Sequence, residues 1–280
     1  MTNEITKTQP KFSVVIHSDM MKNLINKTLG DEKRAQRFVA SICSAVATNP
    51  QLQSCEPQSI ISSALLGESL NLSPSPQLGR FYLVPFKDKQ RGDLAQFILG
   101  YKGYLELAQR SGQYKDINVI EIREGEYKGR NKQTGVPQFE FIEDDDIREN
   151  KEIIGYMASF TLLNGFTKTI YWSKEKMEKH ALQYSSGYRA DKKNKTEYTF
   201  WSKDFTGQAF KTMLRQLISK WAIMSIDMQQ AYENDMAVIH SDGTKEYIDN
   251  QEEPEIFEPK ETNNIKETEE PETKSLNDVE

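Results

Sequence analysis

The chain has 280 residues, and its 37% hydrophobic content is enough for a sizeable core. Its formal charge of -6, taken alone, argues against a nucleic-acid partner. The segment Met1–Lys11 is polar and lacks the apolar stretch of a secretory signal, and no later apolar run approaches the ~18 residues of a membrane span. We therefore expect a cytoplasmic protein with no membrane partner. Cys43 and Cys55 lack CxxC or Cys/His spacing, which argues against a disulfide or a zinc site and predicts two buried thiols.

The negative charge is concentrated at the carboxyl end. The segment Asp249–Glu280 holds 12 of the 42 acidic residues and 3 of the 36 basic ones, which leaves 30 acids and 33 bases in residues 1–248. Within Lys168–Lys220, 12 bases stand against 5 acids, a cationic region suited to phosphates. The acidic tail is rich in Glu, Thr, Asn and Pro. It cannot bury enough apolar surface to offset the entropy of ordering, so we predict that residues 249–280 are disordered.

The first predicted elements are two helices followed by a strand pair. Apolar residues at helical spacing run from the N-cap candidate Asp31 to the break at Asn49-Pro50. A second helix begins near Pro57 and stops at a proline-rich loop. Two short apolar runs, Arg80–Phe86 and Leu94–Leu99, then predict strands joined across a polar turn.

The middle of the chain predicts a helix and a further strand pair. The period changes to that of a helix after Gly100, and Gly112 stops this helix. Residues Ile117–Arg123 alternate as a strand. The run Phe139–Ile142 is its expected partner, returning beyond a basic, glycine-rich turn.

A hairpin is predicted around Asn164-Gly165, a dipeptide typical of a type I′ turn. A two-residue turn pairs Leu163 with Phe166, and this register puts Tyr171 on the same face of the sheet as Phe160. The opposite face is then expected to hold Met157, Ser159, Lys168 and Trp172.

The last part of the body is predicted to be helical, with one loop. Ser173 is the expected cap of a helix that reaches about Tyr184. The Lys-rich segment Ser185–Thr199 has no apolar periodicity and is predicted to be a mobile loop. Asp204 is the expected N-cap of the clearest amphipathic helix in the chain. Its apolar stripe consists of Phe210, Met213, Leu214, Leu217, Ile218 and Trp221.

The motifs argue against most enzyme classes. The sequence has no GxxxxGK[ST] or GxGxxG phosphate loop, which argues against ATP-driven recombination, and its histidines lack companions at ligand spacing. One enzymatic alternative stays open: Glu126-Tyr-Lys128 has the E-x-K form of a metal-dependent nuclease, with Asp116 as a second carboxylate that could help to hold Mg²⁺. The glycines beside this motif indicate a turn rather than the core strand that such a site requires. The run Asp144–Asp146 is best interpreted as a solvated acidic loop.

The positive signal is the mixture of basic and aromatic residues. Lysine and arginine neutralise phosphate, and aromatic rings stack on unpaired bases, so this mixture suits single-stranded nucleic acid. Each pair alone is weak, because a lone lysine is usually a solvated charge and a tryptophan usually belongs to a core. The pairs are Tyr101-Lys102, Tyr127-Lys128, Tyr171-Trp172 with Lys174 and Lys176, Tyr188-Arg189, and Trp201 with Lys203.

Several ordered blocks resemble the RecT family of single-strand annealing proteins, and the resemblance covers roughly Phe38–Ala231. These blocks are Phe81-Tyr-Leu-Val-Pro-Phe86, Leu99-Gly-Tyr-Lys-Gly-Tyr-Leu-Glu-Leu-Ala-Gln-Arg-Ser-Gly112, Phe200-Trp-Ser-Lys-Asp-Phe205 and Lys211-Thr-Met-Leu-Arg-Gln-Leu-Ile-Ser-Lys-Trp221. The resemblance implies an α+β fold with a Redβ-like core of β-hairpins and antiparallel sheet plus helices. It also implies a phage or prophage protein that anneals complementary DNA strands without ATP, as a ring or helical filament.

The resemblance implies no catalytic residues and no required cofactor, with Mg²⁺ at most a modulator of DNA binding. The implied partners are single-stranded DNA, the annealed duplex, further copies of the chain, a phage 5′ to 3′ exonuclease and a host single-strand-binding protein. We expect an amino-terminal arm (1–30), a DNA-binding, annealing and oligomerisation domain (31–248) and the acidic tail (249–280). The amino-terminal helix and the region of Trp221 are candidate contacts between copies.

Phosphate contacts should dominate the DNA interface, because annealing needs cations between two strands whose base edges stay free to pair. Lys102, Lys211, Arg215 and Lys220 are expected from the matching blocks, and the other candidates from local charge alone. The expected phosphate contacts are Lys102, Lys128, Arg130, Lys132, Lys174, Lys176, Arg189, Lys211, Arg215 and Lys220. The expected wedging or stacking rings are Tyr101, Trp172 and Trp201.

Overall fold

The computed structural model describes residues 11–88, 92–239 and 245–247. The amino-terminal half contains α1 (Phe12–Ile16), α2 (Asp19–Leu29), α3 (Glu32–Thr48), α4 (Pro50–Gln53), α5 (Pro57–Ser69), β1 (Phe81–Asp88), β2 (Gly92–Leu99), α6 (Tyr101–Arg110), β3 (Tyr114–Arg123), β4 (Tyr127–Arg130) and β5 (Pro137–Phe139). The carboxyl-terminal half contains α7 (Asp145–Glu149), β6 (Ile153–Leu162), β7 (Thr167–Ser173), α8 (Lys174–Tyr184), α9 (Ser186–Asn194), α10 (Phe200–Lys203), α11 (Phe205–Trp221), α12 (Ile226–Asn234), β8 (Ala237–Ile239) and β9 (Lys245–Tyr247).

The strands form separate antiparallel sheets, which confirms the α+β class. The first sheet has the order β1-β2-β8-β9, the second β3-β6-β7, and β4 pairs with β5. A shared core of buried side chains joins α5 and the first sheet to α6, α11 and the second sheet. None of the described helices has the length and apolar character needed to cross a membrane.

Local signals placed several helices correctly. The carboxylate of Asp31 accepts hydrogen bonds from the backbone amides of Lys33 and Arg34 at the start of α3. Asp204 and Ser173 cap α11 and α8 in the same way. Side-chain capping satisfies amides that the helix itself leaves without partners, which is why these residues fix where each helix begins.

The hairpin of β1 and β2 continues directly into α6 through the glycines of the Gly-Tyr-Lys-Gly block. A Cβ atom at Gly100 would overlap the carbonyl oxygen of Gly79, and one at Gly103 would overlap that of Arg80. Glycine is therefore required at both positions, because the backbone of α6 lies directly against the segment that enters β1.

The prediction that Phe139–Ile142 pairs with β3 was wrong. Strand β3 pairs along its length with β6, while the predicted partner segment begins within β5, which pairs with β4. The turn at Glu124-Gly125 leads only into the short β4 strand, whereas β6 matches β3 in length.

The predicted register of the Asn164-Gly165 hairpin was wrong by one residue. The amide of Leu162 donates to the carbonyl of Phe166 at 2.8 Å, so the loop has three residues and Gly165 adopts a φ of 86°. Tyr171 therefore lies opposite Met157, and Lys168 lies opposite Phe160. A shift of one residue moves each side chain to the other face of the sheet.

The segment Ser185–Thr199 was predicted to be a loop, but most of it forms helix α9. Ser185 caps this helix, and Lys195 ends it with a φ of 55°. Its packing depends on Tyr188 and Asp191, which are both buried. A helix that buries one ring and one carboxylate leaves no apolar repeat for sequence analysis to detect.

The predicted boundary at residue 30 does not coincide with a break in the core. Phe12, Ile16, Met21 and Ile25 of α1 and α2 belong to the same buried cluster as α3 and α5. Cys55 is buried as expected, and Cys43 is partly exposed. The acidic tail predicted for residues 249–280 lies outside the described residues.

Candidate nucleic-acid interface

A groove of about 770 Å³ opens between the first sheet and the helices α8 to α11. One wall is the outer face of the β1–β2 hairpin, and the other consists of the α8–α9 junction and the segment 198–203. Residues of α11 form its floor. The groove combines aromatic, aliphatic and charged lining residues, which makes it the candidate binding site.

The wall on β1 follows from strand alternation. Phe81 and Leu83 point into the core, while Tyr82 and Val84 are half-buried and line the groove. The exposed Lys87 lies at the end of this wall. A single strand thus supplies both core and groove residues, because successive side chains point to opposite faces.

The groove floor lies over a buried charge network centred on Asp235. Its fully buried carboxylate accepts from the ammonium of Lys211 at 2.8 Å and from the guanidinium of Arg215 at 3.1 Å. The backbone amide of Leu99 and the hydroxyl of Tyr104 also donate to this carboxylate, at 2.9 Å and 3.3 Å. Burial raises the pKa of Tyr104, so its hydroxyl stays protonated.

Lys211 and Arg215, predicted as phosphate contacts, are paired inside the structure. Both line the groove, but their side chains are only 5% and 14% exposed, and both converge on Asp235. The structure instead places these cations as an internal support for the groove floor.

The second wall carries aromatic residues on a short segment after α9. Tyr198 is 75% exposed and Phe200 is 38% exposed, and the ring of Phe200 lies 5.4 Å from that of Tyr82 across the groove. Trp201 also borders the groove, but it is nine-tenths buried, and the centre of its ring lies 5.2 Å from that of Phe205. Trp201, predicted as a stacking ring, therefore anchors the segment that presents its neighbours.

His180 also lines this wall. Burial, together with the nearby charges of Lys176 and Arg215, lowers the pKa of His180 to about 4, so the ring is neutral at pH 7. The ring of Trp172 lies 5.3 Å from His180, and the ammonium of Lys176 lies 4.2 Å from the centre of the Trp172 ring. Trp172 is therefore engaged by its own neighbours rather than presented to the groove.

The remaining predicted residues do not line the groove. Tyr101 packs edge-on against Phe210, and Arg189 donates to the carbonyls of Leu182 and Gln183 at the end of α8. Lys102 lines a separate shallow hollow. Lys174 is exposed at the start of α8, and Lys220 is exposed at the end of α11.

The cationic turn predicted between β4 and β5 is also separate from the groove. Lys128 pairs with Glu140 at 3.1 Å, and Arg130 donates to the carbonyls of Gly135 and Tyr171. Lys132 is exposed in the turn. The structure thus brings Trp201, Lys211 and Arg215 of the predicted set together and disperses the others.

The nuclease alternative required Glu126 to hold a metal ion. The carboxylate of Glu126 is fully buried and accepts from the guanidinium of Arg148 at 2.6 Å and from the amide of Arg123 at 2.7 Å. Burial favours the neutral acid, but these hydrogen bonds outweigh it and lower the pKa of Glu126. Both carboxylate oxygens are engaged, and the described residues contain no cluster of three metal-binding side chains.

Sequence reasoning missed several groove residues. Tyr82, Lys87, Tyr198 and Phe200 were not predicted as site residues, and Asp235 was not considered. The alternation in Phe81–Phe86 carried a signal for Tyr82, since one face of that strand had to face away from the core. Nothing local marks Asp235, whose partners lie 20 or more residues away in sequence.

Comparison with known proteins supports the resemblance. The family described as "RecT family" matches residues 36–255. An uncharacterised protein of Bacillus subtilis strain 168, YqaK, is 39% identical over 280 residues, which cover 96% of this chain and 89% of that protein. Protein RecT of Escherichia coli K12 is 27% identical over 229 residues, which cover 79% of this chain and 78% of that protein. The chain belongs to the RecT family, whose general role is DNA binding in recombination and strand annealing.

Proposed function

We propose that this chain binds single-stranded DNA in the groove and anneals it to a complementary strand without ATP or a bound metal ion. The observation that carries the proposal is the groove itself, which combines aromatic rings on both walls with exposed lysines at its edge. This combination matches a flexible ligand that alternates flat bases with negative charges. Membership of the RecT family supports the same role.

The charges have a defined task in this proposal. Two DNA strands repel each other through their phosphates, so the annealing protein has to neutralise phosphates while leaving the base edges accessible. Lys87 and Lys203 are exposed and border the groove on its two walls. They replace Lys211 and Arg215 as the first phosphate contacts to test.

The experiment is annealing of two labelled complementary oligonucleotides at several salt concentrations, with a chelator present and ATP absent. We expect the wild type to pair them faster than they pair alone. The variant Lys87→Ala/Lys203→Ala should bind more weakly, and its slope of log affinity against log salt should become shallower by roughly 0.7 for each phosphate that the variant no longer neutralises.

The matched control is Lys115→Ala/Lys151→Ala, which removes two exposed lysines, one on β3 and one just before β6, that do not line the groove. This variant should anneal and bind like the wild type. Equal losses of affinity in both variants would show a general charge effect and reject the groove as the site. Absence of acceleration by the wild type would reject annealing altogether.

Assembly into a polymer is part of the proposal. Exposed apolar side chains occur on the amino-terminal helices, at Val14 and Met20, and at the junction of α11 and α12, at Trp221 and Ile226. Two different surfaces that bind each other form a heterologous contact, and such contacts give rings or helical filaments. We therefore place the contact between copies at these two surfaces.

Mixing of variants tests this contact. Met20→Asp and Ile226→Asp should each remain monomeric in light scattering, because each disables one of the two surfaces. A mixture of the two should form dimers and nothing larger, since one intact pair of surfaces remains. Wild-type assembly by both single variants would reject these surfaces as the contact.

The acidic tail is proposed to compete with DNA for the groove, to recruit an exonuclease or a host single-strand-binding protein, or only to keep the protein in solution. Deletion of Asp249–Glu280 distinguishes these roles. Unchanged annealing and unchanged binding of both partners would favour the solubilising role. Loss of partner binding with intact annealing would favour recruitment.

A further inference from the structure

The segment that carries Tyr198 and Phe200 is held by a single buried carboxylate. Asp191 on α9 is 3% exposed, and its side chain accepts from the hydroxyls of Thr196 at 2.7 Å and Ser202 at 2.8 Å. Thr199 donates to it twice, from its amide at 2.8 Å and from its hydroxyl at 2.7 Å. These contacts span both sides of the aromatic pair, so Asp191 clamps the whole segment.

The clamp depends on an ionised carboxylate. Burial opposes ionisation of Asp191, but the hydrogen bonds from Thr196, Thr199 and Ser202 outweigh it and hold the pKa of the carboxyl well below its usual range. Hydrogen bonds to a charged acceptor are stronger than those to a neutral one. The segment is therefore fixed by charge-assisted bonds at neutral pH.

The segment that Asp191 holds carries one large exposed ring, that of Tyr198. The amide of Tyr198 donates to Asp191 at 3.2 Å, while its side chain is three-quarters exposed. Aromatic side chains contribute most when their faces are covered, so an exposed ring on a backbone that Asp191 holds in place can accept a flat ligand. Phe200 and Tyr82, whose rings contact each other, line the same groove.

The surroundings identify the ligand class. Lys203 follows Tyr198 on the same wall, and Lys87 stands on the opposite one. A ligand that satisfies both features carries flat apolar rings and negative charges, as a nucleotide does. A purely apolar peptide would leave the two lysines without a role.

We propose that Tyr198, on the groove wall that also carries Phe200, is a stacking site for one unpaired nucleobase, and that Asp191 is its positioning residue. The inference rests on the proposed function, since the base belongs to the single strand in the groove. One stacked base per protomer leaves the neighbouring bases free to pair. The site thus fixes the strand's position without blocking annealing.

The test compares two strands of equal length, an oligothymidylate and the same sugar-phosphate chain without bases. Tyr198→Ala should weaken binding of the oligothymidylate about 5- to 150-fold, the range expected for removal of one base–aromatic stack. Binding of the abasic strand should stay unchanged. Tyr198→Phe should retain wild-type binding, because it keeps the ring.

The matched control is Phe166→Ala, which removes another partly exposed ring that lies outside the groove. It should affect neither strand. A 2-aminopurine in the strand should report the stack directly, with fluorescence quenched by wild type and restored by Tyr198→Ala. Asp191→Asn should restore fluorescence too, although Tyr198 is intact, because the segment that carries Tyr198 loses its charge-assisted bonds.

The outcomes separate the two proposals. If the wild type binds neither strand, the proposed function fails. If the wild type binds both strands and Tyr198→Ala changes neither affinity nor quenching, the stacking site is rejected while DNA binding stands. If Asp191→Asn quenches like the wild type, Asp191 has no positioning role. If Asp191→Asn does not fold, the Tyr198 variants alone decide the stacking site.

Discussion

Removing the carboxylate of Asp235 should destabilise the protein more than removal of any surface charge. Asp235→Ala takes away the group on which Lys211 and Arg215 converge, beneath the groove floor. The Asp235 side chain is fully buried, and those of the two cations are 5% and 14% exposed, so water screens these charges poorly. Breaking a buried ion pair by deleting one partner costs about 3–5 kcal/mol. We expect a decrease in that range in the free energy of unfolding.

Urea unfolding followed by circular dichroism measures the decrease. Asp235→Asn should fall between the wild type and Asp235→Ala, because the amide oxygen still accepts hydrogen bonds. Adding Lys211→Met to Asp235→Ala should recover part of the stability, since it removes one of the buried cations. The control Glu175→Ala breaks an exposed pair with Lys179 and should leave the unfolding midpoint almost unchanged. A decrease of less than about 1 kcal/mol in Asp235→Ala would show that the two cations do not depend on this carboxylate.

Three further predictions concern other buried contacts. The pKa of Asp191 is lower in the folded than in the unfolded state, so its contribution to stability should be complete above the unfolded pKa of about 3.9 and decline as the pH falls below it. The difference in unfolding free energy between wild type and Asp191→Asn should therefore shrink at low pH. A constant difference down to about pH 2.5 would contradict the low pKa of Asp191. Gly103→Ala should lower the free energy of unfolding by about 1–3 kcal/mol, because its Cβ would overlap the carbonyl of Arg80. The control Lys102→Ala, in the same block, should leave the free energy of unfolding nearly unchanged. Equal effects of the two variants in thermal unfolding would argue against the close backbone approach at Gly103. Glu126→Gln should weaken the hydrogen bonds that hold the β4–β5 region, which hydrogen exchange would detect as faster amide exchange there. The wild type should not degrade DNA when Mg²⁺ is added. Degradation that Glu126→Gln abolishes would restore the nuclease alternative.

The parts of the fold that sequence predicted correctly depend on local interactions. Asp31 and Asp204 cap their helices through bonds that span two or three residues, and the apolar stripe of α11 repeats along one helix. Such signals lie within a short window and need no knowledge of distant contacts. The same window fails at the Asn164-Gly165 hairpin, where one extra loop residue reverses the faces of β7.

The charge pattern shows which cations the chain has, but not which of them are paired inside the structure. Lys211 stands on the edge of the α11 stripe, three residues before Leu214 and seven before Ile218, a spacing that placed it against the core. A lysine at that position requires a carboxylate partner, and Asp235 supplies it from a turn 24 residues later. Sequence alone shows the cation, but only the tertiary structure shows that it is already matched.

The buried positions of these cations change which residues are expected to meet DNA. A count of lysines and arginines favoured α11 and the β4–β5 turn, where the structure engages Lys211, Arg215 and Arg130 in internal contacts. The groove instead offers few cations and several rings, one of them on Tyr198, whose backbone amide donates to Asp191. An annealing protein benefits from this balance, because strong binding along every phosphate would hinder release of the duplex, whereas a single stacked base positions the strand and leaves its other bases free to pair.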